Sequence, residues 1–262
     1  MTSIPKREWT VDGAGVTIPS SYLQNGGSIY TRKGTARENA ERMRRLEEPL
    51  NHIFDITFGI APSQTIRSLF FSPLSFDGKG QVERLGREVA ARYPEMAGGN
   101  VTQQDAFFVA EDALVGVELK LGSKTWPGQV LKYLALMVCE ERLTGSRSRI
   151  GLLYVTPNRD GTVVLGQAGC ASDGSLPEGF LASIPNSQKN ALLDRLLVEH
   201  GALFEAASKR LQVRHISWAE LHESAQALAD AESGIDAGSE THKRLMQGFV
   251  AAIDSHCGCL PM

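Results

Sequence analysis

Cysteine is scarce: four residues in 262, Cys139, Cys170, Cys257 and Cys259, with no Cys-x-x-Cys spacing among them. That excludes a disulfide framework as the source of stability. His256, Cys257 and Cys259 gather at one chain end but supply too few spaced ligands for a closed zinc site. No apolar run approaches the ~20 residues that cross a bilayer, and Met1 to Trp9 lacks the apolar segment of a signal peptide. The expectation is a cytoplasmic protein without a membrane partner. A basic surplus is also missing, since the formal net charge is -3, whereas dedicated nucleic-acid binders usually carry a basic stripe. Finally, no convincing Gly-rich phosphate cradle is present and there are no internal repeats. These two absences disfavour nucleotide-loop enzymes and solenoids.

What is present is 42% hydrophobic residues over a length that can bury one substantial core, so residues 1–262 are read as a single domain. The most informative stretch runs from Asp105 to Lys120. Phe107, Phe108 and Val109 form one β-prone run and Leu114, Val115 and Val117 a second, with Glu111 and Asp112 as turn formers between them. With those two residues as the loop, Ala110 faces Ala113 and Asp105 faces Glu118 across the hairpin. A three-residue loop would instead set Asp105 opposite Leu119. Alternation puts Glu118 and Lys120 on one face while Val117, Leu119 and Leu121 point to the other. A hairpin face that carries such a Glu/Lys pair is common on ordinary surfaces. Two carboxylates beside a lysine nevertheless suit metal-assisted hydrolysis of a phosphate ester: hard oxygens hold Mg²⁺, and the lysine offsets charge that develops at phosphorus. Asp112 is a rival to Asp105, but it falls in the turn.

Past Lys120 the breaker-rich loop Gly122 to Gly128 leads into a strongly helical segment, Gln129 to Leu143. Ile150 to Val155 then reads as a returning strand, which makes the sheet mixed. The order strand, strand, helix, strand, with Asp105, Glu118, Lys120, Gln129 and Tyr133 at these positions, resembles the PD-(D/E)xK nuclease superfamily over roughly residues 78–158. Gln104 stands where the motif's proline would be.

The resemblance implies a restriction-endonuclease-like α/β fold with a core at about 78–165, an N-terminal arm and helix over 1–77, and C-terminal helical additions over 180–256. It implies that Asp105 and Glu118 hold Mg²⁺ or Mn²⁺, that Lys120 positions or activates water, and that Gln129 orients a ligand. Relatives often add a glutamate from a helix before the meander. The candidate helix is Gly80 to Tyr93, with Val82, Leu85, Val89 and Tyr93 as its apolar stripe. Glu83 and Glu88 flank that stripe equally. Glu88 is preferred because it lies nearer the strands.

The expected activity is cleavage of nucleic-acid phosphodiesters, in the first instance by a DNA endonuclease of a bacterial defence, repair or mobile-element context. The strand-Ser-Trp-helix passage around Ser217 looks, more weakly, like parts of bacterial nuclease-like proteins of such loci. The alternatives are an inactive nuclease-fold scaffold and a hydrolase of a small phosphate ester. Lys124, Lys132 and Tyr133 flank the motif and are expected to meet nucleic acid. Paired cutting would need a homodimer.

Elsewhere, a capped helix from Thr35 to Pro49 carries Arg37, Arg44 and Arg45, which are candidates for phosphate contact but are interleaved with glutamates. Asn25-Gly26-Gly27 marks a turn in an irregular arm. The alternation of Phe54, Ile56, Phe58 and Ile60 fits either a strand or a continued helix. Thr162 to Leu165 reads as extra strand, followed by a long loop from Gly166 to Gly179. Asn190 to Leu203 reads as a helix, and Val213 to Ile216 as a strand. Ser217 to Glu220 is a capping box opening a helix to Leu228, and Thr241 to Ile253 a last helix. His215 is read as a core or surface histidine.

Overall fold

A computed structural model describes residues 9–11, 17–19 and 47–257 apart from 79, 87, 88, 98, 100, 103 and 123. The arginine-rich segment 35–46, the turn at 25–27, Cys259 and Glu88 lie outside the described residues. Chain contacts divide the protein into two units, 1–44 and 45–262. In the first, strands β1 (Trp9–Val11) and β2 (Thr17–Pro19) pair antiparallel.

The second unit is built on a five-stranded mixed sheet whose strands lie in chain order. Strands β3 (Val82–Leu85), β4 (Ala106–Ala110) and β5 (Ala113–Leu119) form an antiparallel meander. Strands β6 (Arg149–Thr156) and β7 (Leu211–Ser217) then add in parallel. Parallel neighbours need crossovers. Helix α3 (Pro127–Thr144) supplies the first, and α4 (Gly161–Gln167), α5 (Phe180–Ser183) and α6 (Ala191–Ser208) lie in the second. Helices α1 (Glu47–Ile60), α2 (Ser63–Ile66), α7 (Trp218–Ala231) and α8 (Ala237–Cys257) complete the fold. No helix among the described residues is long and apolar enough to cross a membrane.

Strand alternation divides the interior into two cores. Phe107, Val109, Leu114, Leu152, Tyr154 and Val213 face α3 and α6. Phe108, Val115, Val117, Leu153 and Val155 face α1, α7 and α8. Each strand carries apolar residues on both sides because helices cover both faces. On the second face Phe54, Phe58, Phe70 and Phe249 pack ring to ring at centroid distances of 4.5–5.9 Å, and Phe70 stacks on Phe108 at 5.3 Å. That cluster ties α1, α8 and the turn after α2 to the middle of the sheet.

Two local expectations are corrected and one ambiguity is resolved. Gly80 to Tyr93 is not a helix: it is β3 followed by a 3-10 turn, Val89–Arg92. Val82 packs into one core and Leu85 into the other, so a strand covered on both faces imitates helical i, i+3 spacing. Thr162 to Leu165 belongs to α4, where the Asp160 carboxylate caps the Thr162 amide; capping outweighs the β-propensity of Thr-Val-Val. The ambiguous run at Phe54 is helical. Leu50, Phe54 and Phe58 are buried at i, i+4 and i+8, while Ile56 and Ile60 are 67% and 68% exposed.

Candidate active site

Glu111 and Asp112 form the hairpin loop, and the β4–β5 ladder ends with Ala106 opposite Val117. The next step sets Asp105 opposite Glu118, the register a two-residue loop requires. Here the backbone ladder gives way to a side chain: the Leu119 amide donates to Asp105 Oδ2 at 2.7 Å. Asp105 Oδ1 accepts from Asn51 Nδ2 of α1 at 2.5 Å. The aspartate is thus held from the strand on one side and from a helix on the other. Asp112 instead pairs with Arg149 and, at 3.6 Å, with Arg67, which makes it part of a structural ion cluster at the hairpin tip.

Glu118 and Lys120 are each 7% exposed, at the C-terminal end of β5. Lys120 Nζ lies 2.6 Å from Glu118 Oε1, and Gln129 Nε2, in the first turn of α3, donates to the same oxygen at 2.5 Å. Tyr133, one turn later, shares its hydroxyl hydrogen between Glu118 Oε2 at 2.8 Å and the Val117 carbonyl at 2.7 Å. The same hydroxyl oxygen accepts from the Asp105 amide at 3.2 Å. Tyr133 is therefore the bridge between the two acidic positions. Burial, then the charges of Glu118 and Asp105, push its pKa well above the ordinary value, so it stays a neutral donor.

Backbone contacts fix Lys120 as firmly as side chains fix Glu118. Its amide donates to Val155 O at 2.9 Å, and its carbonyl accepts from Trp218 Nε1 at 2.7 Å. Trp218 is fully buried at the start of α7, behind the Ser217/Glu220 capping box. The room for Tyr133 comes from Gly116, where a Cβ would stand 2.4 Å from the ring.

The expected residues Asp105, Glu118, Lys120, Gln129 and Tyr133 are thus joined in one network. Other expectations change. Tyr133 is 1% exposed, an interior support rather than a surface contact for nucleic acid. Glu83 sits on β3 opposite Val109, four residues along β4 from Asp105 and so ~13 Å away; it faces Arg92 at 3.8 Å. Lys124 is exposed on the loop before α3, and Lys132 is partly exposed on α3. Asn51, Gly116 and Trp218 support the site without any signal in their own neighbourhoods that ties them to it. Only the cap beside Trp218 was readable.

Two further residues lie in the same row across the sheet. Glu118 pairs with Tyr154, and Tyr154 with His215. The Tyr154 hydroxyl is buried with no hydrogen-bond partner among the described residues; burial and Glu118 raise its pKa. His215 Nε2 lies 2.9 Å from Thr156 Oγ1, and burial lowers its pKa.

The donor chemistry fits a hard divalent cation. Two carboxylates are at hand, and Gln129 Oε1 is a buried acceptor without a hydrogen-bond partner among the described residues. No cluster of three or more His, Cys, Asp or Glu side chains gathers among the described residues, so an ion here would complete its shell with the amide oxygen and water. No family model, curated protein or solved structure matches the chain.

Proposed function

We propose that this protein is a Mg²⁺- or Mn²⁺-dependent nuclease of the PD-(D/E)xK kind, with DNA as its first candidate substrate. The observation that carries the proposal is the network at the end of the hairpin in which the Glu118, Lys120 and Gln129 side chains meet and Asp105 is tied in through its amide on the Tyr133 hydroxyl. Two further features support it. The meander, crossover helix and parallel strand follow the order that the resemblance expects, and the cluster lies at the carboxyl ends of parallel strands, where open α/β sheets bind ligands.

In this reading Asp105, Glu118 and Gln129 Oε1 hold the cation. When bound, it would lower the pKa of a water and offset charge on the phosphoryl oxygens. Lys120 holds the attacking water or the phosphate in place and stabilises negative charge as it grows. Its ammonium has little freedom, because the side chain is buried and paired with Glu118 at 2.6 Å. Tyr133 fixes the rotamer of Glu118, and Asn51 that of Asp105; both are positioning residues.

One observation favours the alternative of an inactive, nucleic-acid-binding scaffold. Glu118 already receives donors from Lys120, Gln129 and Tyr133, which partly balance its charge without a cation. A fluorimetric titration with Mg²⁺ or Mn²⁺ separates the two. A nuclease site predicts that the cation raises the melting temperature of the wild type and not of Asp105→Asn or Glu118→Gln. Equal responses in all three proteins would favour the scaffold.

A further inference from the structure

A cleft of about 200 Å³ lies against the N-terminal turns of α3, lined by Trp126, Lys132, Ser187, Gln188, Lys189 and Asn190. We propose that it is a binding site for one unpaired base of a single-stranded nucleic acid, with Trp126 as the stacking platform and Lys132 and Lys189 on the flanking phosphates. The inference deepens the nuclease reading and rests on that reading for its biological sense, although its residues are separate from the Asp105–Lys120 network.

Three features carry it. Trp126 is 40% exposed, unlike the fully buried Trp218, so one large aromatic surface remains in water next to the cleft. Among the described residues Lys120 is the lysine held in an ion pair, and Lys132 and Lys189 both stand without one. An aromatic face beside two uncompensated ammonium groups matches the chemistry of a nucleotide unit, in which a ring stacks and a phosphodiester is neutralised. The volume falls below the ~300–1,000 Å³ of sites that enclose drug-sized ligands, which suits one flat ring entering from an open strand. Bases inside a duplex offer no free face.

The cleft is built by the same helix that completes the candidate active site. The Gly128 amide donates to Gln188 Oε1 at 2.9 Å, which fastens one wall to the residue preceding Gln129. A Cβ at Gly128 would stand 2.9 Å from Gln188 and 3.1 Å from Trp126 Nε1. Glycine is therefore required for the indole and the 186–188 turn to close on the helix. Trp126 stands three residues before Gln129 and Lys132 three after it, so a strand whose phosphate reaches Gln129 carries its neighbouring nucleotide towards Trp126.

The test is fluorescence anisotropy of the full chain with a fluorescein-labelled oligothymidylate in the presence of chelator, so that binding is read without cleavage. The competitors are unlabelled oligothymidylate, an abasic strand of equal length, a duplex and thymidine monophosphate. We expect Trp126→Ala to weaken binding about 10-fold and Trp126→Phe to restore most of it. Lys132→Gln and Lys189→Gln should each flatten the salt dependence by about 0.7 in the log–log slope. The abasic strand and the duplex should compete poorly. Equal affinity of the abasic strand, or no effect of Trp126→Ala, overturns the stacking site; competition by the mononucleotide at equal nucleotide concentration overturns its assignment to a strand. Metal-dependent cutting with Trp126-independent binding sinks this inference and leaves the nuclease reading standing. Trp126-dependent binding without any metal-dependent cutting does the reverse.

Discussion

At the scale of single residues, the site depends on neighbours chosen for what they permit. Gly116 is the clearest: it faces α3 from β5, and any side chain there displaces the Tyr133 ring that holds Glu118. Gly116→Ala should destabilise the protein by ~1–3 kcal/mol through overpacking, measured by urea denaturation, and should lower activity beyond that loss; an unchanged midpoint would contradict the packing. His215 gives a prediction of opposite character. Burial lowers its pKa below the usual 6.5, so the unfolded chain binds the proton more readily. Stability from this group is fully present above pH 6.5 and is lost as the pH falls through the folded value. Denaturation at pH 7.5 and 5.5 should show a smaller acid loss in His215→Gln than in the wild type, and equal losses would refute it. The two carboxylates and Lys120 were legible in the sequence because hairpin register and alternation fix which side chains share a face, whereas Gln129 came from the family resemblance alone. Asn51 and Trp218 were not, because each reaches the site from a distant stretch: Asn51 lies 54 residues before Asp105 and Trp218 lies 98 after Lys120.

At the scale of elements, the hairpin, α3 and β6 were readable because local rules agree there: β-branched and aromatic runs, a tight loop, a long helix former run and a second apolar strand. The segment before the hairpin was not. Its strand is a short edge strand whose Val-Glu-Arg-Leu run has no period-two alternation, and Val82 and Leu85 serve different cores. Correcting that segment also moves Glu83 away from Asp105, since it lies opposite the far end of β4, while Glu88, the preferred glutamate, lies outside the described residues. What the segment does instead is structural. Arg92 and Tyr93, just after β3, hold Glu140 of α3, a carboxylate with no solvent exposure, through contacts of 3.1, 3.1 and 2.9 Å. Arg92→Ala leaves that charge buried against Tyr93 alone. The expected loss is about 3 kcal/mol, the low end for a broken buried pair, because Arg92 is itself 34% exposed. A chemical-denaturation loss near zero would show that the pair does not hold α3 to the meander.

At the scale of the whole molecule, the two cores explain why a buried ionic cluster is tolerated. Helices cover both faces of the sheet, and the Glu118–Lys120 pair sits at the strand ends, where the apolar interior gives way to a region of partly exposed polar groups. Burying such a pair rarely adds stability compared with apolar residues of the same size, so packing alone does not account for it. The near-neutral charge of the chain, -3 in 262 residues, then means that any nucleic acid must be held by local cations such as Lys124, Lys132 and Lys189 and not by a general basic field. Affinity should accordingly be modest and steeply reduced by salt. The most direct measurement of the central claim is incubation of wild type, Asp105→Ala and Lys120→Ala with plasmid and single-stranded DNA, with Mg²⁺ or Mn²⁺ and with chelator, each variant first checked for cooperative melting. The account predicts cutting by the wild type that chelator abolishes and that falls at least 100-fold, on the order of 3 kcal/mol of transition-state stabilisation, in both folded variants. Metal-dependent cutting that survives both substitutions would contradict it.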